Sequence, residues 1–172
     1  MALMGVVVLA LTGQQCAAGS EQEAVTTPNG SRLVLPERAD PVEFPLTTVR
    51  ILSGPDTFRV AAEVARTAEQ RERGLMFRTF MPDTAGMLFL YEEPRPGGFW
   101  MLDTHLPLSV AMADGARVIR EILEMEPCVD EFSWECPVYD AAEPFQYALE
   151  MNQGYFAERG IGPGAVLEWT AP

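Results

Sequence analysis

From Thr47 onward, apolar and polar residues alternate or gather in short bursts, the spacing of strands rather than of long helices. Thr48–Leu52 and Thr57–Val64 predict two strands around Ser53-Gly54-Pro55-Asp56, a sequence suited to a tight hairpin. Thr67 predicts the start of a short helix. Thr67 and Gln70 have capping-box spacing, Glu69 and Arg73 stand at i,i+4, and Gly74 is placed to end it. Gly86–Tyr91 is a continuous apolar run and reads as a buried strand. Pro94, Pro96, Gly97 and Gly98 make a loop before a strand at Phe99–Leu102. Leu108–Ala113 leads into Asp114-Gly115, a hairpin signal. The apolar spacing in Val118–Met125 would also fit a helix, and the Asp-Gly turn before it tips the reading to strand. Pro127–Pro144 reads as a long acidic loop with two cysteines. Phe145–Asn152 reads as a strand, Tyr155–Arg159 as one helical turn with Gly160 past its end, and Val166–Thr170 as a closing strand. Seven or eight strands with two short helices predict a mainly β (α+β) fold, a compact antiparallel β-barrel or sandwich over residues 46–172.

The pattern before that is different. Ala2–Leu11 is an unbroken apolar run with the length of a signal-peptide core, about half a membrane span. Small residues follow at Cys16-Ala17-Ala18-Gly19, so residues 1–18 read as a signal peptide cleaved after Ala18. Alternatively Cys16 is the lipidated first residue of a mature lipoprotein, although Gln14-Gln15 fits a lipobox poorly and no basic residues precede the run. Residues 19–45 are rich in Glu, Thr, Pro, Ser and Asn and read as a disordered tether, interrupted only by Leu33-Val34-Leu35.

Charge narrows the functions open to the chain. The 172 residues carry 25 acids against 12 bases, a net charge of −13, which disfavours contact with nucleic acid or anionic lipid. Any membrane contact is therefore expected only through a lipid on Cys16. Every base is arginine, so lysine Schiff-base chemistry and the P-loop lysine are excluded. A single histidine excludes the H-E-x-x-H zinc arrangement.

Two runs hold most of the distinctive residues: Glu69-Gln70-Arg71-Glu72-Arg73-Gly74-Leu75-Met76-Phe77-Arg78, and Phe99-Trp100-Met101 with Thr104 and Pro107-Leu108. Gly86-Met87-Leu88-Phe89, Asp114-Gly115, Tyr147 to Asn152, Gly154 and Gly160-Ile161 complete the set. In these motifs the chain resembles the bacterial and archaeal domain of unknown function 192 family, from about Phe58 to Trp169. The resemblance implies a small β-rich domain, often exported, with no established activity or cofactor. Two departures stand out. Where that family usually shows W-M-K-N-T, this chain has Trp100-Met101-Leu102-Asp103-Thr104, and where it shows P-L-D, this chain has Pro107-Leu108-Ser109.

The candidate chemistry follows from polar residues set inside apolar motifs. Arg73 and Arg78 flank Gly74–Phe77 and could clamp a carboxylate or similar anion, or simply pair with surface acids. Trp100, Asp103, Thr104 and His105 lie where an apolar strand opens into a loop. Asp103, His105 and Ser109 suggest a nucleophile–base–acid set, against which stand the absence of a G-x-S-x-G elbow and the interruption at Pro107. Glu150 and Asn152 share one strand face and could hold a sugar or cation, or satisfy turn backbone. Cys128 and Cys136 match no zinc or redox spacing and read as a disulfide. A D-x-[DN]-x-[DN]-G calcium loop is absent, and no metal is expected.

The sequence thus predicts a monomeric, exported domain, periplasmic or lipid-anchored. It would act as a binding or accessory module of the cell envelope, without a cofactor, for a small molecule or envelope component. The alternative is a small glycoside-type hydrolase using Asp103 with Glu150, or His105, as acid–base groups.

Overall fold

The computed structural model describes residues 24–26, 32–34, 42–129 and 135–170. The chain divides into two units, Met1–Asp40 and Pro41–Pro172. In the first, β1 (Ala24–Thr26) pairs antiparallel with β2 (Arg32–Val34), the latter supplied by the Leu33-Val34 run. An isolated ribbon of this size is marginal in water. The expected signal segment and Cys16 lie outside the described residues.

In the second unit, β3 (Leu46–Ser53) and β4 (Asp56–Ala65) form the expected hairpin, closing at Ser53–Asp56 with Gly54 at φ 56°. Helix α1 (Ala68–Arg73) follows. Both halves of its capping box are made. Thr67 Oγ1 accepts from the Gln70 N–H at 3.1 Å, and the Gln70 side chain accepts from the Thr67 N–H at 3.1 Å. Gly74 ends it with φ 44°, a positive angle open to glycine, its N–H donating to the Gln70 carbonyl at 2.9 Å. Val42–Pro45, read with the tether, is hydrogen-bonded to this unit: Gln70 donates to the Glu43 carbonyl, and the Val64 N–H to that of Pro45.

The remaining elements are β5 (Ala85–Arg95), β6 (Gly98–Trp100), β7 (Leu108–Ala113), β8 (Ile119–Met125), β9 (Val138–Asp140), β10 (Phe145–Asn152), α2 (Tyr155–Glu158) and β11 (Val166–Glu168). The ambiguous segment after Asp114-Gly115 is a strand. The Asp114 carboxylate accepts from the Ala116 and Val118 N–H groups, which fixes the turn before β8.

Seven strands make one mixed sheet in the order β11-β3-β4-β5-β10-β7-β8, antiparallel except between β4 and β5, which α1 connects as a parallel crossover. The sheet is not a closed barrel. Its outer strands meet near one end, where Val118 bridges Val166, the Ile119 N–H donates to the Ala165 carbonyl, the Gly164 N–H to that of Ile119 and the Leu167 N–H to that of Arg117. Strands β6 and β9 form a separate pair, so the stretch expected to be one long acidic loop contains a strand. A strand was expected through Leu102, but β6 stops at Trp100, because Asp103 turns the chain with φ 52° and the Thr104 N–H bonds back to the Met101 carbonyl.

The central strands are buried on both faces, which explains the unbroken apolar run in β5. Leu88, Leu149 and Ala111 pack with Ile51, Val60 and Phe156 on one side. Met87, Phe89, Ala148 and Val110 pack with Phe99, Met101 and Phe145 on the other. Gly86 makes close packing possible at the β5–β10 seam, where a Cβ would overlap the Glu150 carbonyl and the Met151 sulfur.

Candidate functional site

The second of these cores opens to the surface. A cleft of about 690 Å³ lies between α1, the outer half of β5 and β6, with Glu150 reaching it from β10. Phe89, Phe99 and Tyr91 form much of its wall. Phe89 meets Phe99 edge-on with centroids 5.0 Å apart, and Tyr91 meets Phe145 edge-on at 5.6 Å, contacts that hold the rings in place. Trp100 is 44% exposed at the rim, and its indole N–H donates to the Cys136 carbonyl at 3.2 Å. The platform it offers is therefore fixed in orientation.

Three arginines line the cleft: Arg71 and Arg73 from the last turn of α1, and Arg95 from the end of β5. The Arg71 and Arg95 guanidiniums converge on one ring, 4.9 and 5.0 Å from the Tyr91 centroid. Arg71 is held by the Arg66 and Leu90 carbonyls, and Arg95 through Nε by the Pro96 carbonyl. Arg73 lies 4.6 Å from the Phe77 ring centroid. None of the three forms an ion pair among the described residues, although Glu69 and Glu72 also line the cleft.

Glu150 is 5% exposed, between Met87 and Val110 on the neighbouring strands. No side-chain hydrogen bond reaches its carboxylate from the described residues. Burial pushes its pKa up to about 8, so it is a neutral acid at physiological pH. Burial also raises the Tyr91 hydroxyl, against the Arg95 and Arg71 charges, which keeps the phenol protonated. At neutral pH the cleft therefore presents three fixed cations, a phenol and an uncharged carboxyl.

The residues proposed from sequence divide into two groups. Arg73, Trp100 and Glu150 line the cleft; Arg78, Asp103, Thr104, His105 and Asn152 do not. Arg78 forks onto Glu63 in a neighbouring hollow of about 430 Å³ and takes the internal pairing open to it. Asp103 serves the backbone: its carbonyl accepts the Phe77 N–H at 2.7 Å, and both residues have positive φ. The amide usual at this position in the family motif tolerates the same left-handed turn, so the Asn-to-Asp change preserves that role. Thr104 is buried, with its hydroxyl donating to the Leu102 carbonyl, and His105 is exposed. Asn152 donates to the Met81 carbonyl at 3.0 Å. Ser109 is locked by Glu124 Oε2 at 2.7 Å and the Gly154 N–H at 2.8 Å, so the nucleophile–base–acid set is not assembled. Nor do Asp103 and Glu150 share the cleft, so the carboxylate pair expected from sequence is not brought together there.

Sequence reasoning missed Arg71, Arg95 and Tyr91. The one legible signal was Tyr91–Arg95 itself, two residues of like strand parity at the end of an apolar run. Leu102, where the family motif usually carries lysine, also lines the cleft. Among the described residues no cluster of three or more His, Cys, Asp or Glu could hold a metal, and no helix is long and apolar enough to cross a membrane. Cys128 and Cys136 are bonded, with Cα atoms 5.6 Å apart.

Residues 50–169 match the model of domain of unknown function 192, described as Uncharacterized ACR. Among solved structures, a Sinorhizobium meliloti 1021 protein described as a candidate transcription regulator is 35% identical, with a TM-score of 0.67, over 75% of this chain and 97% of that one. A Novosphingobium aromaticivorans DSM 12444 protein of unknown function is 27% identical, with a TM-score of 0.65, over 91% of this chain and 100% of that one. No curated protein matches the chain.

Proposed function

The chain belongs to the domain of unknown function 192 family, and we propose that this member is a ligand-binding module of the cell envelope that takes a small molecule in the cleft between α1 and β6. One observation carries the reading: an acid nine-tenths buried, without a side-chain partner among the described residues, on the floor of an open cleft rimmed by unpaired arginines and a fixed indole. Because Glu150 lines the open cleft, its carboxyl is placed to bond a molecule that enters. The volume also suits a small organic molecule.

Binding without chemistry is favoured because Asp103 and His105, the acid–base partners expected for Glu150, lie outside the cleft. A role in DNA binding, suggested by the description of the Sinorhizobium relative, finds little support. The net charge is −13, and the described helices run six and four residues, too short to read a groove as recognition helices do. The disulfide and the Ala2–Leu11 run support an extracytoplasmic location. A thermal-shift screen of the full chain against sugars, carboxylates, peptides and divalent metals tests the reading. At least one class should raise the melting temperature, and Trp100→Ala should remove the effect. No rise with any class, or a rise indifferent to Trp100, would leave a scaffold without a ligand.

A further inference from the structure

We propose that the ligand is a small organic carboxylate, its anionic head seated between Arg71 and Arg95 beside Tyr91 and its apolar or ring-shaped body against Phe99 and Trp100. This rests on the cleft being a ligand site and adds the class of molecule it takes.

The argument starts from charge. In a chain of net charge −13, this cleft gathers three arginines without an ion-paired acid, whereas Arg50, Arg78, Arg120 and Arg159 each hold one. Two of the three guanidiniums share one ring, at 4.9 and 5.0 Å from the Tyr91 centroid. Cations gathered in one cleft repel one another, and an anion entering it relieves that repulsion. Each guanidinium is anchored by part of its donor set alone. Arg71 spends one terminal nitrogen on the Arg66 and Leu90 carbonyls, and Arg95 spends Nε on that of Pro96. The guanidinium fork is the geometry that takes a carboxylate in two parallel bonds.

The floor decides between an anion and a cation. An ionised Glu150 would attract an ammonium head and repel a carboxylate. Held neutral by burial, it instead offers a donor to an anionic or carbonyl oxygen. Glu69 and Glu72 on the rim set a limit in the other direction, since a dianion meets more repulsion from them than a monoanion does. The rest of the lining includes Met76, Phe89 and Leu102, which fits an apolar body and leaves few partners for a densely hydroxylated one.

The test follows the Trp100 indole and Tyr91 backbone N–H resonances of the full-length protein at neutral pH during titration with benzoate, benzamide, benzylamine and phenyl phosphate. Benzoate should move both resonances and bind about tenfold more tightly than the neutral amide, the loss expected when a charge-assisted pair is removed. Arg95→Gln should abolish that preference. Arg95 is exposed, and its contacts are with the Pro96 carbonyl and the Tyr91 side chain, so the variant should keep the chemical shifts of the core. Equal or tighter binding of benzamide or benzylamine overturns the carboxylate assignment and leaves the cleft standing. Tighter binding of phenyl phosphate overturns it in favour of a phosphate head. If no probe moves either resonance, both this inference and the cleft reading fall.

Discussion

Glu150 shows how one residue ties stability to the site. Its folded pKa of about 8 stands above its ordinary value of 4.5, because burial disfavours the charged form. Between those values the folded protein binds a proton that the unfolded chain has lost. The stabilising contribution is therefore complete below about 4.5 and is lost as pH rises through about 8. A shift of this kind changes stability by roughly 1 kcal/mol per pH unit inside the window. The rest of this acidic surface also responds to pH, so the quantity to measure is the difference between the native protein and Glu150→Gln, which cannot ionise there. Denaturant unfolding across pH 4.5 to 8.5 should show the variant gaining on the native protein as pH rises. Parallel curves would mean that Glu150 is ionised in the fold, and the neutral floor of the cleft would have to be given up.

At the scale of elements, local signals were legible and contacts between distant elements were not. Thr67, Gln70 and Gly74 marked α1 because a cap is made by residues three to four apart, and β7 and β10 were bounded correctly because their apolar runs end at turns. Strand β9 was invisible: Val138-Tyr139-Asp140 is too short for a pattern, and only pairing with Gly98–Trp100 makes it a strand. The same limit applied to the site. Arg71 and Arg95 both reach the Tyr91 ring because the α1 crossover lays the helix against β5, and no spacing along the chain announces that. Arg78 and Asp103, prominent as polar residues in apolar motifs, turned out to serve Glu63 and a backbone turn.

The Cys128–Cys136 bond belongs to this scale as well, since its two ends hold the Trp100–Thr104 segment. The Trp100 indole donates to the Cys136 carbonyl, and the Cys128 N–H donates to that of Thr104. Replacing both cysteines by serine should lower stability by roughly 2–3 kcal/mol, as expected for a short closed loop. It should also speed hydrogen exchange at the Trp100 indole by loosening its acceptor. Denaturant unfolding and exchange rates measured with and without reductant check both effects. An unchanged indole exchange rate would show that the β6–β9 pairing alone fixes the platform.

For the whole molecule, three separate features bear on where it works. Ala2–Leu11 has the length of a signal-peptide core and not of a membrane span, with small residues just beyond at Cys16-Ala17-Ala18. A bonded cysteine pair persists in oxidising compartments, while cytosolic thiols are kept reduced. The cleft proposed to take a small molecule, on a chain of net charge −13 that disfavours nucleic acid, suits the envelope better than the nucleoid. These features lead to one expectation: the mature protein lacks residues 1–18, or begins at a lipid-modified Cys16. Intact mass spectrometry of protein recovered from its native cells, with N-terminal peptide mapping, distinguishes the two, because a lipid adds a large apolar mass at Cys16 and simple cleavage leaves an unmodified start near Gly19. A mature cellular pool that retains Met1 would contradict export. It would also predict that Cys128 and Cys136 are recovered as free thiols, so alkylation under non-reducing conditions on the same sample provides an independent check. Both thiols protected on a processed chain is the result expected.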